Sequence, residues 1–212
     1  MKTEIIQELI ARYPVLASCE LSVTAATELL ISYYRAGNKL LLCGNGGSCA
    51  DSLHIVGELM KGFLKKRPLT EAQQEQMRAK CAALPEAYLN QLQNALPAIA
   101  LCEESALNTA FSNDVDPELL YAQQVFGYGR ENDVLICIST SGNAKNAVAA
   151  AMVAKGLGLR VLSLTGAGGG KLRTLSDICI CVPETETYKI QELHLPVYHA
   201  LCAAVEPAFF EE

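Results

Sequence analysis

Of the chain's three histidines, His54 stands four residues before a carboxylate, Glu58. On a helix, positions i and i+4 share one face. An imidazole and a carboxylate on one face suit zinc as ligands. The carboxylate is equally a candidate general base. An ordinary surface ion pair has the same spacing, so the pair needs a second signal. That signal lies near the C-terminus, in Ile190-Gln191-Glu192-Leu193-His194-Leu195-Pro196-Val197-Tyr198-His199. Gln191, His194 and His199 are its candidate polar contributors, although a terminal packing helix with solvated polar positions would read the same way. Gln191 and His199 are eight residues apart, about 12 Å of helical rise. One straight helix can hardly bring both to one metal. If both bind it, a neighbouring subunit supplies one of them.

Two small-residue turns carry a different chemistry. Gly44-Asn45-Gly46-Gly47-Ser48 and Ser139-Thr140-Ser141-Gly142-Asn143 each follow an apolar run and precede a helical pattern. Glycines let the backbone approach an anion, and a helix N-terminus offers N–H donors and a positive dipole end. The hydroxyls of Ser139, Thr140 and Ser141 add donors. A flexible strand–helix turn explains either loop alone. Two such loops, on strands that could flank a switch point in strand order, point to a phosphorylated ligand. A dinucleotide fits less well, because no Gly-x-Gly-x-x-Gly follows the first strand.

The elements that must position these residues are legible in the hydropathy. Five short apolar runs, Lys39–Cys43, Pro97–Leu101, Asp133–Ile138, Arg160–Leu164 and Asp177–Val182, are continuous rather than alternating. Strands buried on both faces of a parallel sheet look like this. Helical patterns lie between them, at Ser48–Phe63, Glu118–Val125 and Ala144–Gly156. The expected fold is an α/β three-layer sandwich on a five-stranded parallel sheet. Residues 1–36 read as two helices ahead of the first strand, whose spare apolar face suits the sheet or another subunit. Residues 62–96 read as an inserted excursion within a single domain spanning 1–212. In it, Lys65-Lys66-Arg67-Pro68 looks like a solvated turn. Thr70 and Gln73 have capping-box spacing for a polar helix running to about Ala83.

Composition narrows the class. The 212 residues are 50% hydrophobic and 19% charged, so the chain can bury a core and is not globally disordered. A net charge of −6 disfavours nucleic acid and anionic membrane surfaces as partners. No apolar run approaches the ~18–20 residues of a membrane span. The nine cysteines include no Cys-x-x-Cys pair, and Cys43, Cys137, Cys179 and Cys181 lie inside apolar runs. They read as buried thiols in a reducing compartment, which makes the expected location cytoplasmic.

At its two loops the sequence resembles the SIS (sugar isomerase) domain family, and over about Leu40 to Glu206 it is similar in detail to the phosphoheptose isomerases. The Ile-Gln-Glu-x-His stretch with a further histidine is a hallmark of that group. The resemblance implies a flavodoxin-like strand order. It also implies isomerisation of sedoheptulose 7-phosphate to D-glycero-D-manno-heptose 7-phosphate, and a homotetramer with sites between subunits. It places His54, Glu58, Gln191 and His199 at metal positions, with Zn²⁺ as the metal. Glu58 would be the base and His199 its acid–base partner. Asn45, Gly46, Gly47, Ser48, Ser139, Thr140, Ser141 and Gln191, with Asn113 and Asp114, would contact substrate. The chain departs from the pattern at Ala144, where a serine is usual, at Pro196, and in its longer excursion. Two alternatives stand beside this reading. One is an isomerase for another sugar phosphate. The other is a non-catalytic SIS regulator acting through protein partners; His199 favours catalysis over that.

Overall fold

The computed structural model describes residues 2–210. Its centre is a parallel sheet of five strands: β1 (Leu40–Gly44), β2 (Ala98–Ala100), β3 (Val134–Ile138), β4 (Arg160–Thr165) and β5 (Ile178–Cys181). They lie in the order β2-β1-β3-β4-β5. Cys43 pairs with Cys137 and Gly44 with Ile138, so β1 and β3 end level with each other. After β1 the chain builds outward to β2, then returns to the other side of β1 to lay down β3. The switch in direction falls between β1 and β3, where an open sheet leaves a crevice beyond its strand ends.

Successive side chains of each strand serve opposite layers. Leu40, Leu42, Ile136, Leu162, Leu164 and Ile180 pack into one core. Its helices are α1 (Lys2–Arg12), α2 (Glu20–Arg35), α3 (Gly47–Met60) and α10 (Thr187–Val205). Leu41, Cys43, Leu135, Cys137 and Val161 face the other layer, built on α7 (Leu120–Tyr128) and α8 (Lys145–Gly156). The stretch Pro14–Arg35 is long and apolar enough to cross a membrane by length and composition. Here it is a core element, burying Val23, Ala26, Leu30 and Ile31. All nine cysteines are free thiols.

The excursion carries α4 (Glu71–Lys80) and α5 (Glu86–Gln91). The expected capping box is present, with Thr70 accepting from the Gln73 N–H and Gln73 reaching back to the Thr70 N–H. The helix stops at Lys80, short of Ala83. The excursion's ends are tied together: the Asn94 N–H donates to the Arg67 carbonyl and the Asn94 side chain to that of Pro68. Arg67 is not part of a solvated turn. It is 2% exposed, and its Nε donates to Glu206, itself fully buried. A side chain long enough to reach the core can leave a turn and pair there, and a local run of charges does not reveal it. Three short helices have no counterpart among the sequence expectations: α5, α6 (Ser105–Asp114) and α9 (Gly170–Leu175).

Candidate active site

The two loops meet at the switch point. Asn45, Gly46, Gly47 and Ser48 face Ser139, Thr140 and Ser141 across a cleft of about 370 Å³, closed by Ala144, Thr187 and Gln191. Gly46 sits at φ +56°, the left-handed region that favours glycine. At Gly47 a Cβ would lie 2.5 Å from the Gln191 amide nitrogen, so a larger residue here would displace the Gln191 side chain from its place in the cleft. The Asn45 and Asn146 amides pair reciprocally, each bond 2.9 Å. The Tyr121 hydroxyl donates to the Gly44 carbonyl at 2.6 Å and steadies the first loop. In the second loop the Gly142 N–H donates to the Ser139 carbonyl and the Asn143 N–H to Ser141 Oγ. Helices α3 and α8 both begin at this cleft, which directs two positive dipole ends at it. The cleft offers hydroxyls, amides and helix ends without a lysine or arginine in its lining, which suits an anion bound by an acidic protein.

From the cleft, α3 and α10 run side by side. Glu58 lies ten residues beyond Ser48, about 15 Å along α3. There the second cluster forms. His54 Nε2 is 3.1 Å from Glu58 Oε1 and 3.5 Å from His199 Nε2. Ligand atoms of the three side chains all lie within 4.8 Å of one another. The rings of His54 and His199 meet edge to face, with Phe63 tilted against His199. Burial lowers the His199 pKa, nearby His54 lowers it further, and Glu58 partly offsets both. His199 is therefore held toward its neutral form, as a ligand or proton acceptor must be.

The donor set fits a metal. Two nitrogens on one tetrahedral zinc, each ~2.0–2.1 Å from it, stand roughly 3.3 Å apart, close to the observed 3.5 Å. His54 Nε2 faces both a carboxylate oxygen and a second imidazole nitrogen, and one ring hydrogen cannot satisfy both. Glu58 Oε2 is buried without a hydrogen-bond partner; Lys61 Nζ is 3.8 Å from it. A cation among the three groups would resolve the first deficit and leave Oε2 unclaimed.

Comparison with known proteins follows the same lines. The family model described as SIS domain matches residues 87–166. A phosphoheptose isomerase of Roseiflexus sp. is 38% identical over 190 residues, covering 90% of this chain and 83% of the relative. One from Aneurinibacillus thermoaerophilus is 40% identical over 180 residues, with 85% and 78% covered. The chain belongs to the phosphoheptose isomerase family. The solved phosphoheptose isomerase of Francisella tularensis superposes with a TM-score of 0.76 at 29% identity, over 93% of this chain and 91% of that one. That of Neisseria gonorrhoeae gives 0.71 at 28% identity, over 95% and 98%. The protein is thus an isomerase of sugar phosphates, and the non-catalytic alternative falls away.

Within this phosphoheptose isomerase fold the expected residues divide into three places. Asn45, Gly46, Gly47, Ser48, Ser139, Thr140, Ser141 and Gln191 line the loop cleft. His54, Glu58 and His199 form the second cluster. Asn113 and Asp114 join neither. They are exposed at the end of α6 and bond to each other, Asn113 Nδ2 donating to Asp114 Oδ1 at 2.8 Å. His194 is fully buried, with both ring nitrogens unpartnered. Burial lowers its pKa to about 4. Pro196 is accommodated inside α10, which continues to Val205 and still delivers His199 to the cluster. Sequence reasoning misses Thr187, Asn146, Tyr121 and Tyr198. Asn146, Tyr121 and Tyr198 act on residues distant in sequence, so spacing gives no sign of them.

Proposed function

We propose that this isomerase interconverts sedoheptulose 7-phosphate and D-glycero-D-manno-heptose 7-phosphate. The observation that carries the proposal is one helix, α3, with an anion cleft at its start and Glu58, His54 and His199 clustered near its end. The phosphate binds between the two loops. Its binding energy orients the far end of an open-chain sugar. Glu58 takes a proton from C1 of the ketose, leaving an enediolate, and returns it to C2. His199 carries the second proton from O1 to O2. The two carboxylate oxygens of Glu58 divide the work, since Oε1 faces the histidines and Oε2 is free to take the proton.

His54, Glu58 and His199 would hold Zn²⁺. Bound there, it supplies Lewis-acid stabilisation of charge developing on the sugar oxygens. Three ligands from one chain leave a position open, as catalytic zinc sites do. In the same chain Gln191 serves the cleft, and as a metal ligand it would come from a neighbouring copy. Asn113 and Asp114 would likewise reach a sugar only in an assembly, the homotetramer that is part of this proposal.

The test is turnover of sedoheptulose 7-phosphate followed by NMR, with and without zinc, beside Glu58→Gln. The aldose phosphate should appear with the parent protein and be lost in the variant. No turnover at any zinc level, by folded oligomeric protein, would overturn the heptose assignment. One observation favours a different sugar phosphate as the second reading: Ala144 leaves the cleft without a hydroxyl at the start of α8. A panel of phosphosugars separates the two.

A further inference from the structure

Tyr198 lies between the two layers of this site. Its ring is 2% exposed and stands edge-on to both His54 and His199, with centroids 5.5 and 4.9 Å away. Its hydroxyl is 3.0 Å from His54 Nδ1, the ring nitrogen that faces away from Glu58 and His199. Asp51 precedes His54 by three residues on α3, so the two share a face. Its Oδ2 is buried without a hydrogen-bond partner, and the carboxylate feels the charge of His54. Phenylalanine would fill the Tyr198 site equally well, whereas a buried hydroxyl needs a partner. Here that partner is His54.

A histidine that gives its Nε2 lone pair to a cation carries its hydrogen on Nδ1, and that N–H needs an acceptor. The Tyr198 oxygen can accept it. The tyrosine O–H must then donate elsewhere, and the buried Asp51 Oδ2 is an acceptor that lacks a donor. We propose that Asp51 and Tyr198 are positioning residues: a chain from His54 Nδ1–H to Tyr198 and from the Tyr198 O–H to Asp51 fixes the His54 ring and keeps Nε2 open toward Glu58 and His199 for a divalent metal. This rests on the zinc reading above for its consequence, and on the His54–Tyr198 contact and the unpartnered Asp51 oxygen for the chain itself.

The test uses the full-length protein with Tyr198→Phe and Asp51→Asn. Zinc dissociation constants are measured by competition with a chromophoric chelator, and melting of the zinc-free forms checks that each variant is folded. Loss of such outer partners typically costs 10–100-fold in metal affinity. Tyr198→Phe is expected to weaken zinc by about that factor with its zinc-free melting unchanged. Equal affinity in parent and variant overturns the proposal. A second readout needs no metal. In zinc-free protein labelled with ¹⁵N at histidine, Tyr198→Phe should shift the His54 Nδ1 resonance and leave those of His194 in place. An unmoved His54 resonance overturns the chain. If the parent binds no zinc, the metal reading falls by itself, and the resonance still decides whether the chain exists.

Discussion

Ala144 is a single methyl group at a position with two duties. It is the N-cap of α8 and supplies no side-chain oxygen to it; of the first-turn N–H groups, that of Ala147 donates to Asn146 Oδ1. It also lines the loop cleft. A serine there would accept from an N–H of the first turn, worth typically about 1 kcal/mol relative to alanine. With phosphate bound, the same hydroxyl could turn and donate to it. Ala144→Ser is therefore expected to raise the ligand-free stability by about 1 kcal/mol in urea unfolding. It should also lower KM for a phosphosugar several-fold with little change in kcat. A gain in stability without a change in KM would show that the hydroxyl stays on the helix. At this scale the sequence is most legible where chemistry is local. His54 and Glu58 declare each other by spacing, and the glycines of the first loop declare a turn. Asn146, Tyr121 and Tyr198 declare nothing locally, because Asn45, Gly44 and His54 reach them only through the fold.

Among the elements, α3 depends on a residue outside it. Its last turn leaves carbonyls without helical partners. Arg67 Nη1 donates to the Leu59 carbonyl at 2.7 Å and Nη2 to that of Glu58 at 3.2 Å. The same guanidinium pairs with Glu206 at 2.8 Å and lies over the Phe210 ring. Glu206 in turn accepts the N–H groups of Phe63, Leu64 and Lys65. One buried ion pair thus ties the end of the Glu58 helix, the start of the excursion and the turn after α10. Removing one partner of such a pair strands the other charge, at about 3–5 kcal/mol. Arg67→Met should lose roughly that stability in denaturant titration, far beyond the effect of a surface arginine. A loss under about 1 kcal/mol, the scale of an exposed pair, would mean that Glu206 finds water. The excursion is readable as an excursion because its helix is polar and capped; its anchor is not, because Arg67 sits in a run of charges. Helix α6 escapes notice for a related reason. It buries none of its side chains, so it carries no apolar period. Helix α9 has six residues and buries only Leu172 among them, too little for any period to show.

For the molecule as a whole, the sheet is the most legible feature. Strands buried on both faces write themselves as unbroken apolar runs, and the five runs coincide with the five strands apart from a residue or so at their ends. The strand order, by contrast, comes from resemblance, since apolar runs carry no order. What neither pattern nor resemblance supplies is the cost of burying His194 on α10. Its folded pKa is about 4, against ~6.5 for an unburied histidine. Between those values the unfolded chain binds a proton that the folded one does not. Stability then rises with pH across that window, and its His194 component is intact above about pH 6.5 and lost as the pH falls toward 4. The slope approaches about 1.4 kcal/mol per pH unit, or about 2 kcal/mol between pH 7 and pH 5. Urea unfolding of the zinc-free protein at those two values measures it. His194→Leu should flatten the dependence, because leucine leaves nothing there to protonate. A dependence that persists in full would locate the responsible group elsewhere. The zinc-free form is the one to use, because protons compete with metal at His54 and His199 and would add a slope of their own.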